Sequence, residues 1–171
     1  MVSFKQQNGW FLRPKLKRLQ DLQTEIYRQL QLLIPDEIAH YDSFQSRVPG
    51  SPLLRMDILE RHPYTHFMRM TYEFDDADKR EIAPDAHIRM YNDARLAEVT
   101  SFNPEQGFNR LAGPLFPQYQ LFQRSWRLNQ ALDKWLGYLL HQGHGITSMQ
   151  PTDDKISGKQ ANPIKEIVSS V

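Results

Sequence analysis

Six side chains on four predicted strands combine charge with hydrogen-bonding groups that suit the binding of an anion. They are Arg55, Arg69, His87, Arg89, Tyr91 and Glu98. A guanidinium group binds a carboxylate or phosphate through two parallel N–H donors, and the other side chains add further hydrogen bonds. Alternate side chains of a strand point to opposite faces, which predicts that these residues share the face opposite the apolar one. The sequence therefore predicts a surface for a protein or a small anionic ligand.

A predicted hairpin carries most of this pattern. Residues 86–91 and 94–101 alternate as strands do, and an Asn-Asp pair at 92–93 is compatible with a two-residue turn. In that register His87 lies opposite Glu98, and opposed residues share one face of the sheet. The core side of the hairpin is then predicted to hold Ile88, Met90, Ala97 and Val99.

Two other interpretations of the same face remain open. The face is predicted to hold four arginines and three carboxylates: Arg55, Arg61, Arg69, Arg89, Asp57, Glu73 and Glu98. Cross-strand ion pairs on a solvated face are common and contribute only about 0.2–1 kcal/mol each. Alternatively, the chain is a hydrolase of a nucleotide or phosphorylated metabolite that uses His87, Glu98 and Arg89.

The inventory of residues favours binding over catalysis. The chain has no cysteine, which excludes disulfides, thiol catalysis and cysteine-ligated metal sites. It contains no phosphate-binding loop, dinucleotide fingerprint, nucleophile elbow or zinc-protease motif. We therefore assign no catalytic residue, no metal ligand and no cofactor, and we expect a binding or adaptor protein rather than an enzyme.

Hydrophobic periodicity predicts the elements that position the face. Apolar residues recur every three or four positions from Pro14 to Pro35 and again after Ser125, which predicts two amphipathic helices. Between them, segments 54–59 and 64–74 precede the hairpin strands with a period of two. The order predicts an α+β fold in which a four-stranded antiparallel meander is covered on one face by both helices.

Composition predicts one domain with two extensions. The 171 residues carry 21 Lys and Arg against 20 Asp and Glu, so the net charge is +1 and argues against nucleic acid as a partner. Residues 1–14 are predicted to form a basic arm, 15–145 a single domain and 146–171 a flexible tail. The arm leaves phosphate binding open. No apolar segment is predicted to span a membrane, and we expect a cytoplasmic protein; edge strands are compatible with a homodimer.

Three segments resemble one known family. The hairpin Ile88-Arg89-Met90-Tyr91-Asn92-Asp93-Ala94 resembles the signature of DUF1249, a proteobacterial family of unknown function. The helix ending at Leu33-Ile34-Pro35 and the segment Leu140-His141-Gln142-Gly143 are also similar to it. The resemblance covers roughly residues 15–145. It implies an α+β fold and a cytoplasmic location, and it implies no substrate.

Overall fold

The computed structural model describes residues 8–76, 79–103 and 118–152. Helix α1 spans Asn8–Leu33 and helix α2 spans Gln118–His141, with a short 3-10 helix at Asp36–Ala39. The strands are β1 (Ser43–Ser46), β2 (Leu53–Arg61), β3 (Thr65–Asp76), β4 (Lys79–Tyr91), β5 (Leu96–Phe102) and β6 (Met149–Pro151). Neither helix, within the described residues, is long and apolar enough to cross a bilayer.

The strands form one antiparallel sheet in the order β5-β4-β3-β2-β1-β6. The α+β class and the antiparallel sheet are as predicted, but the sheet has six strands rather than four. Strand β1 has one large apolar residue, Phe44, and β6 has three residues, so neither is long enough to show alternation in the sequence. Strand β6 also lies within the segment 146–171 that was predicted to be a flexible tail.

A single apolar core joins the helices to the sheet. Ile26, Leu30 and Leu33 of α1 are fully buried, as are Leu132 and Leu136 of α2. They belong to one cluster with the buried strand residues, which include Leu54, Met56, Met68, Met70, Ile88 and Ala97. At roughly 25 cal/mol per Å² of apolar area, this burial is the main favourable contribution to folding.

Both helices begin earlier than the sequence predicted. Helix α1 starts at Asn8 and continues through Pro14, so that the second half of the predicted arm is helical. Helix α2 starts at Gln118, so that Ser125, which the sequence predicts to be its N-cap, lies inside it. Proline and serine are favoured at helix starts only statistically, so neither residue fixes the start of its helix. The sequence also predicts a long loop over 102–124 from its prolines, glycines and aromatic residues, and this segment falls largely on residues 104–117, which lie outside the described residues.

The β4–β5 hairpin has a longer turn than predicted. Tyr91 pairs with Leu96, so four residues rather than two make the connection. Arg95 closes it with a φ of 53°, a left-handed conformation that lets the chain reverse over four residues. From Leu96 to Val99 the register differs from the predicted one by two positions, which leaves these side chains on their predicted faces because the period of a strand is two. A further shift between His87 and Ile88 then pairs Ser101 with His87.

Two buried polar contacts connect the sheet to α2 and to the segment that follows it. At edge strand β5, the N–H of Val99 donates to Oδ1 of Asn129 at 3.3 Å, and Nδ2 of Asn129 donates to the carbonyl of Ser125. At the other side, Ser46 Oγ lies 2.8 Å from Nδ1 of His144, and this hydrogen bond links β1 to the segment after α2. Both contacts are buried, where the loss of a hydrogen bond is most unfavourable.

Candidate functional site

Charged and aromatic side chains cover the sheet face that lies opposite the apolar core. Strand β4 contributes Asp85, His87, Arg89 and Tyr91. The other strands contribute Phe67, Arg69 and Glu73 on β3, Glu98 on β5 and Arg55 on β2. The structure thus puts all six predicted residues on one face: Arg55, Arg69, His87, Arg89, Tyr91 and Glu98. They do not form one contiguous cluster, because Arg55 lies on β2 and Glu98 on β5, with two strands between them.

Two of the arginines are already neutralised by carboxylates. Arg69 donates to both oxygens of Asp85, with Nε–Oδ1 and Nη2–Oδ2 distances of 2.9 and 2.7 Å. Arg55 Nε lies 3.1 Å from Oε1 of Glu73, whose side chain is 7% exposed. The hydrogen bond to Asp85 is the main reason that the pKa of Arg69 is raised above its ordinary value. These two arginines fit the ion-pair interpretation of the face better than a binding interpretation.

Arg89 differs from them. Its side chain is exposed and makes no ion pair with any residue that the structure describes. The guanidinium carbon of Arg89 lies 5.5 Å from the ring centroid of Phe67, which is the residue paired with Arg89 on the neighbouring strand β3. The imidazole of His87 packs near the same phenyl ring, and the two ring centroids are 6.0 Å apart. A cation held over an aromatic face keeps its outer N–H groups available to an incoming anion.

The neighbouring hydroxyl is fixed by Glu98. Tyr91 donates a hydrogen bond of 2.8 Å to Oε1 of Glu98. Burial, followed by this hydrogen bond, raises the pKa of Tyr91, and the nearby Arg89 guanidinium partly opposes the shift. The phenol therefore stays protonated at neutral pH, with its proton directed to Glu98. Arg89 is thus flanked by Tyr91 on its own strand and by Phe67 across the sheet.

The contacts of His87 correct its predicted pairing with Glu98. Glu98 is the register partner of Arg89, and His87 is paired with Ser101. Nδ1 of His87 lies 2.9 Å from Oγ of Ser101 and 3.9 Å from Oδ1 of Asp85. A Ser-His-Asp relay needs the serine and the carboxylate on different ring nitrogens, but here both approach Nδ1. Asp85 is moreover bound to Arg69.

Arg61 was predicted on this face, and that prediction is wrong. A bulge between Ile58 and Glu60 shifts the register, so that Arg61 pairs with His66 and leaves the face of Arg55. Its guanidinium binds the carbonyls of Ile38 and Tyr41 and the carboxylate of Asp42. Arg61 therefore ties β2 to the segment after α1. The bulge has no marker in the sequence, such as a glycine.

The sequence analysis left Asp85 and Ser101 out of the site. Asp85 was missed because the predicted strand began at residue 86, after Pro84, whereas β4 begins at Lys79 and runs through that proline. The residue lies two positions before His87, and this spacing was a usable signal. Ser101 was missed because the wrong register set Glu98 opposite His87. Within the described part of the chain, no group of three or more His, Asp or Glu side chains is arranged to hold a metal ion.

Comparison with protein families adds one finding to this geometry. The family model described as protein of unknown function (DUF1249) matches residues 29–145. The chain belongs to the DUF1249 family. The matched segment of this DUF1249 chain includes strands β1 to β5 and the whole of α2. It therefore includes every residue of the face described above. Neither a curated protein nor a solved structure matches the chain.

Proposed function

We propose that this DUF1249 chain is a cytoplasmic binding or adaptor protein that holds an anionic group of its ligand at Arg89. The ligand is a partner protein that presents a carboxylate, or a small anion. The observation that carries the proposal is the exposed Arg89 guanidinium over Phe67, without a carboxylate partner in the described residues. Arginine in this setting is a common anchor of protein interfaces.

The proposal also requires that the face is not covered by the helices. Buried residues of α1 and α2 share one cluster with the apolar side of the strands, which supports packing of both helices on that side. Arg89 is exposed, while Thr71 and Glu73 on the same face are 4% and 7% exposed. Arg55 and Arg69 are only partly exposed, so Arg89 is the most accessible arginine of this face.

The neighbouring ion pairs indicate where on the face an anionic group of a ligand would bind. Arg69 and Arg55 already hold carboxylates at distances of about 3 Å, so a ligand must displace Asp85 or Glu73 before it binds there. Binding at Arg89 requires no such exchange. A ligand of this site is expected to place one carboxylate or phosphate at Arg89 and an apolar or planar group near Phe67.

The hydrolase interpretation stays a prediction, and no contact among the described residues favours it. His87 and Glu98 have different partners, and the two polar neighbours of the His87 ring, Ser101 and Asp85, both approach Nδ1. A nucleic-acid interface on the arm also stays a prediction, since residues 1–7 lie outside the described residues.

The proposal is tested by recovering the tagged chain from its own host with whatever it binds. Three versions are compared: wild type, Arg89→Gln, and Arg127→Gln, which changes an exposed arginine of α2. Matching circular dichroism and melting temperatures establish that all three are folded. A protein or metabolite retained by wild type and Arg127→Gln and lost with Arg89→Gln supports the proposal. Equal retention by all three versions contradicts it; an untagged second copy retained in this Arg89-dependent way identifies a homodimer.

A further inference from the structure

A polar groove lies between α1 and the turn of the β4–β5 hairpin, away from the face of Arg89. Its volume is about 640 Å³, within the range of roughly 300–1,000 Å³ that is usual for small-molecule sites. Its lining is Thr24, Tyr27, Arg28, Gln31, Asn92 and Arg95. One wall is thus the polar side of α1 and the other is the four-residue turn. Each wall contributes one guanidinium group, and none of the described residues that line the groove carries a carboxylate.

The turn wall holds its arginine in an unusual backbone conformation. Arg95 has a φ of 53°, a region that non-glycine residues seldom occupy and in which asparagine and glycine are favoured. Its side chain is exposed and makes no ion pair with any described residue. This conformation closes the turn, and the same turn places the Arg95 side chain in the lining of the groove.

The other side of the turn is held in place by two hydrogen bonds. The backbone N–H of Asn92 donates to the carbonyl of Tyr64 at 2.8 Å, and Nδ2 of Asn92 lies 3.2 Å from Nδ1 of His66. Burial, followed by the charge of Arg61, lowers the pKa of His66, which keeps that nitrogen available as an acceptor. Asn92 therefore keeps a second amide hydrogen for a ligand.

The helix wall is also rich in donors. Tyr27 accepts a hydrogen bond from Nε2 of Gln31 at 3.2 Å, so its own hydroxyl hydrogen remains to be donated. Arg28 pairs with Glu25 through Nη1 at 3.1 Å, and both side chains are largely exposed. Exposed pairs three residues apart are weak, and four further N–H groups of Arg28 take no part in this one.

We infer that this groove is a binding site for a small phosphate-bearing metabolite, whose phosphoryl oxygens bridge Arg28 and Arg95. The two guanidinium groups supply charge-assisted hydrogen bonds, and Tyr27 and Asn92 supply neutral donors to the same group. The remaining volume accommodates the organic part of the metabolite. This site is independent of Arg89 and of the proposed adaptor role.

The test uses inorganic phosphate and ribose 5-phosphate as probes of the full-length chain. Amide resonances of the turn and of α1 are followed by NMR during titration of each probe at constant ionic strength. We expect a saturable shift at 92–95 and 24–31, with ribose 5-phosphate binding more tightly than phosphate alone. Absence of a saturable shift with either probe up to 20 mM overturns the proposal.

Variants assign the response to the two arginines. Arg95→Asn keeps a residue that tolerates the left-handed backbone, and Arg28→Gln keeps an amide on the exposed helix surface; each is expected to weaken binding at least tenfold. Arg47→Gln and Arg127→Gln, which change exposed arginines outside the groove, are expected to bind as wild type does. Unchanged affinity in Arg95→Asn, or an equal loss in Arg47→Gln, overturns the site. These outcomes are read at the groove with added probes, so they do not depend on whether a partner is found at Arg89.

Discussion

Arg69 and Asp85 are joined across β3 and β4 by two hydrogen bonds of 2.9 and 2.7 Å. Because of this pairing, Arg69 adds little net charge to the sheet face, although it lies on the strand next to Arg89. The same is true of Arg55 beside Glu73. The number of arginines on the face therefore overstates how many anions it could bind. Among the described residues of the face, the arginine without a carboxylate partner is Arg89.

The Arg69–Asp85 pair is expected to stabilise the sheet. Asp85→Asn removes the charge and one of the two acceptors, and we expect it to lower the free energy of unfolding by about 1 kcal/mol. Urea denaturation at pH 7 measures the change. Glu25→Gln, which breaks the exposed pair with Arg28, is the matched control and should lose less than about 0.5 kcal/mol. An equal decrease in the free energy of unfolding in the two variants would show that the two-bond geometry of the Arg69–Asp85 pair does not add to stability.

Asn129 is expected to be a larger determinant of stability. Its Oδ1 accepts a hydrogen bond of 3.3 Å from the Val99 N–H, and both residues are buried. Asn129→Ala leaves that donor unsatisfied, and the expected loss is about 1–3 kcal/mol. Gln130→Ala, at an exposed position on the next residue of α2, should change stability by less than about 0.5 kcal/mol. A loss in Asn129→Ala no larger than in Gln130→Ala would contradict this role.

Stability is expected to fall below pH 6.5 because of His144. Burial lowers the pKa of this imidazole in the folded chain, so the unfolded chain binds a proton at a higher pH than the folded one. Above the pKa of about 6.5 that this imidazole has in the unfolded chain, both states are neutral and the folded chain keeps its full stability. As the pH falls from there towards the lower pKa of the folded chain, the unfolded state is protonated first and the free energy of unfolding decreases. One such group gives a slope of at most about 1.4 kcal/mol per pH unit.

The pH prediction is checked by unfolding the chain in urea between pH 7.5 and 5.5. His144→Gln should flatten the slope, whereas Gln130→Ala, which changes an exposed residue that does not titrate, should leave it unchanged. His66 contributes in the same direction, since its pKa is lowered by burial and by Arg61, so some slope should remain in His144→Gln. An unaltered slope in His144→Gln would rule out this histidine as the source.

Phe67 is expected to support binding at Arg89. Phe67→Leu removes the aromatic face under the guanidinium while keeping an apolar side chain, and a contact of this kind contributes about 0.5–1 kcal/mol at exposed sites. The affinity for a ligand bound through Arg89 should fall about two- to fivefold, and Phe67→Tyr should restore it. Titration calorimetry with the ligand recovered from the host measures both. Wild-type affinity in Phe67→Leu would mean that the ring does not orient the arginine.

The sequence was sufficient for the regular parts of the fold. The alternation along β3 and β4 is long, and the two helices each have an apolar stripe, so their existence followed from the period. Strands β1 and β6 could not be predicted, because each pairs through the backbone with almost no apolar residue of its own. The starts of α1 and α2 were missed because Pro14 and Ser125 are also tolerated inside these helices.

The candidate site was predictable by face but not by contact. The alternation of side chains along a strand was enough to put Arg89, Tyr91 and Glu98 on one face, and a register error of two residues did not change this. The same alternation gave the wrong face for Arg61, where a bulge moves the side chain off the face. The pairing of Arg69 with Asp85, which separates it from the exposed Arg89, depends on side-chain geometry that spacing cannot give.

The most direct test of the proposed function is photo-crosslinking at the sheet face in the host cell. Benzoylphenylalanine is incorporated in place of Phe67, next to Arg89, and in a parallel chain in place of Leu121, which is exposed on α2. Our account predicts a discrete crosslinked partner at position 67 that is absent at position 121 and disappears when Arg89→Gln is added. The same products at both positions, or a product at position 67 that persists with Arg89→Gln, would contradict it.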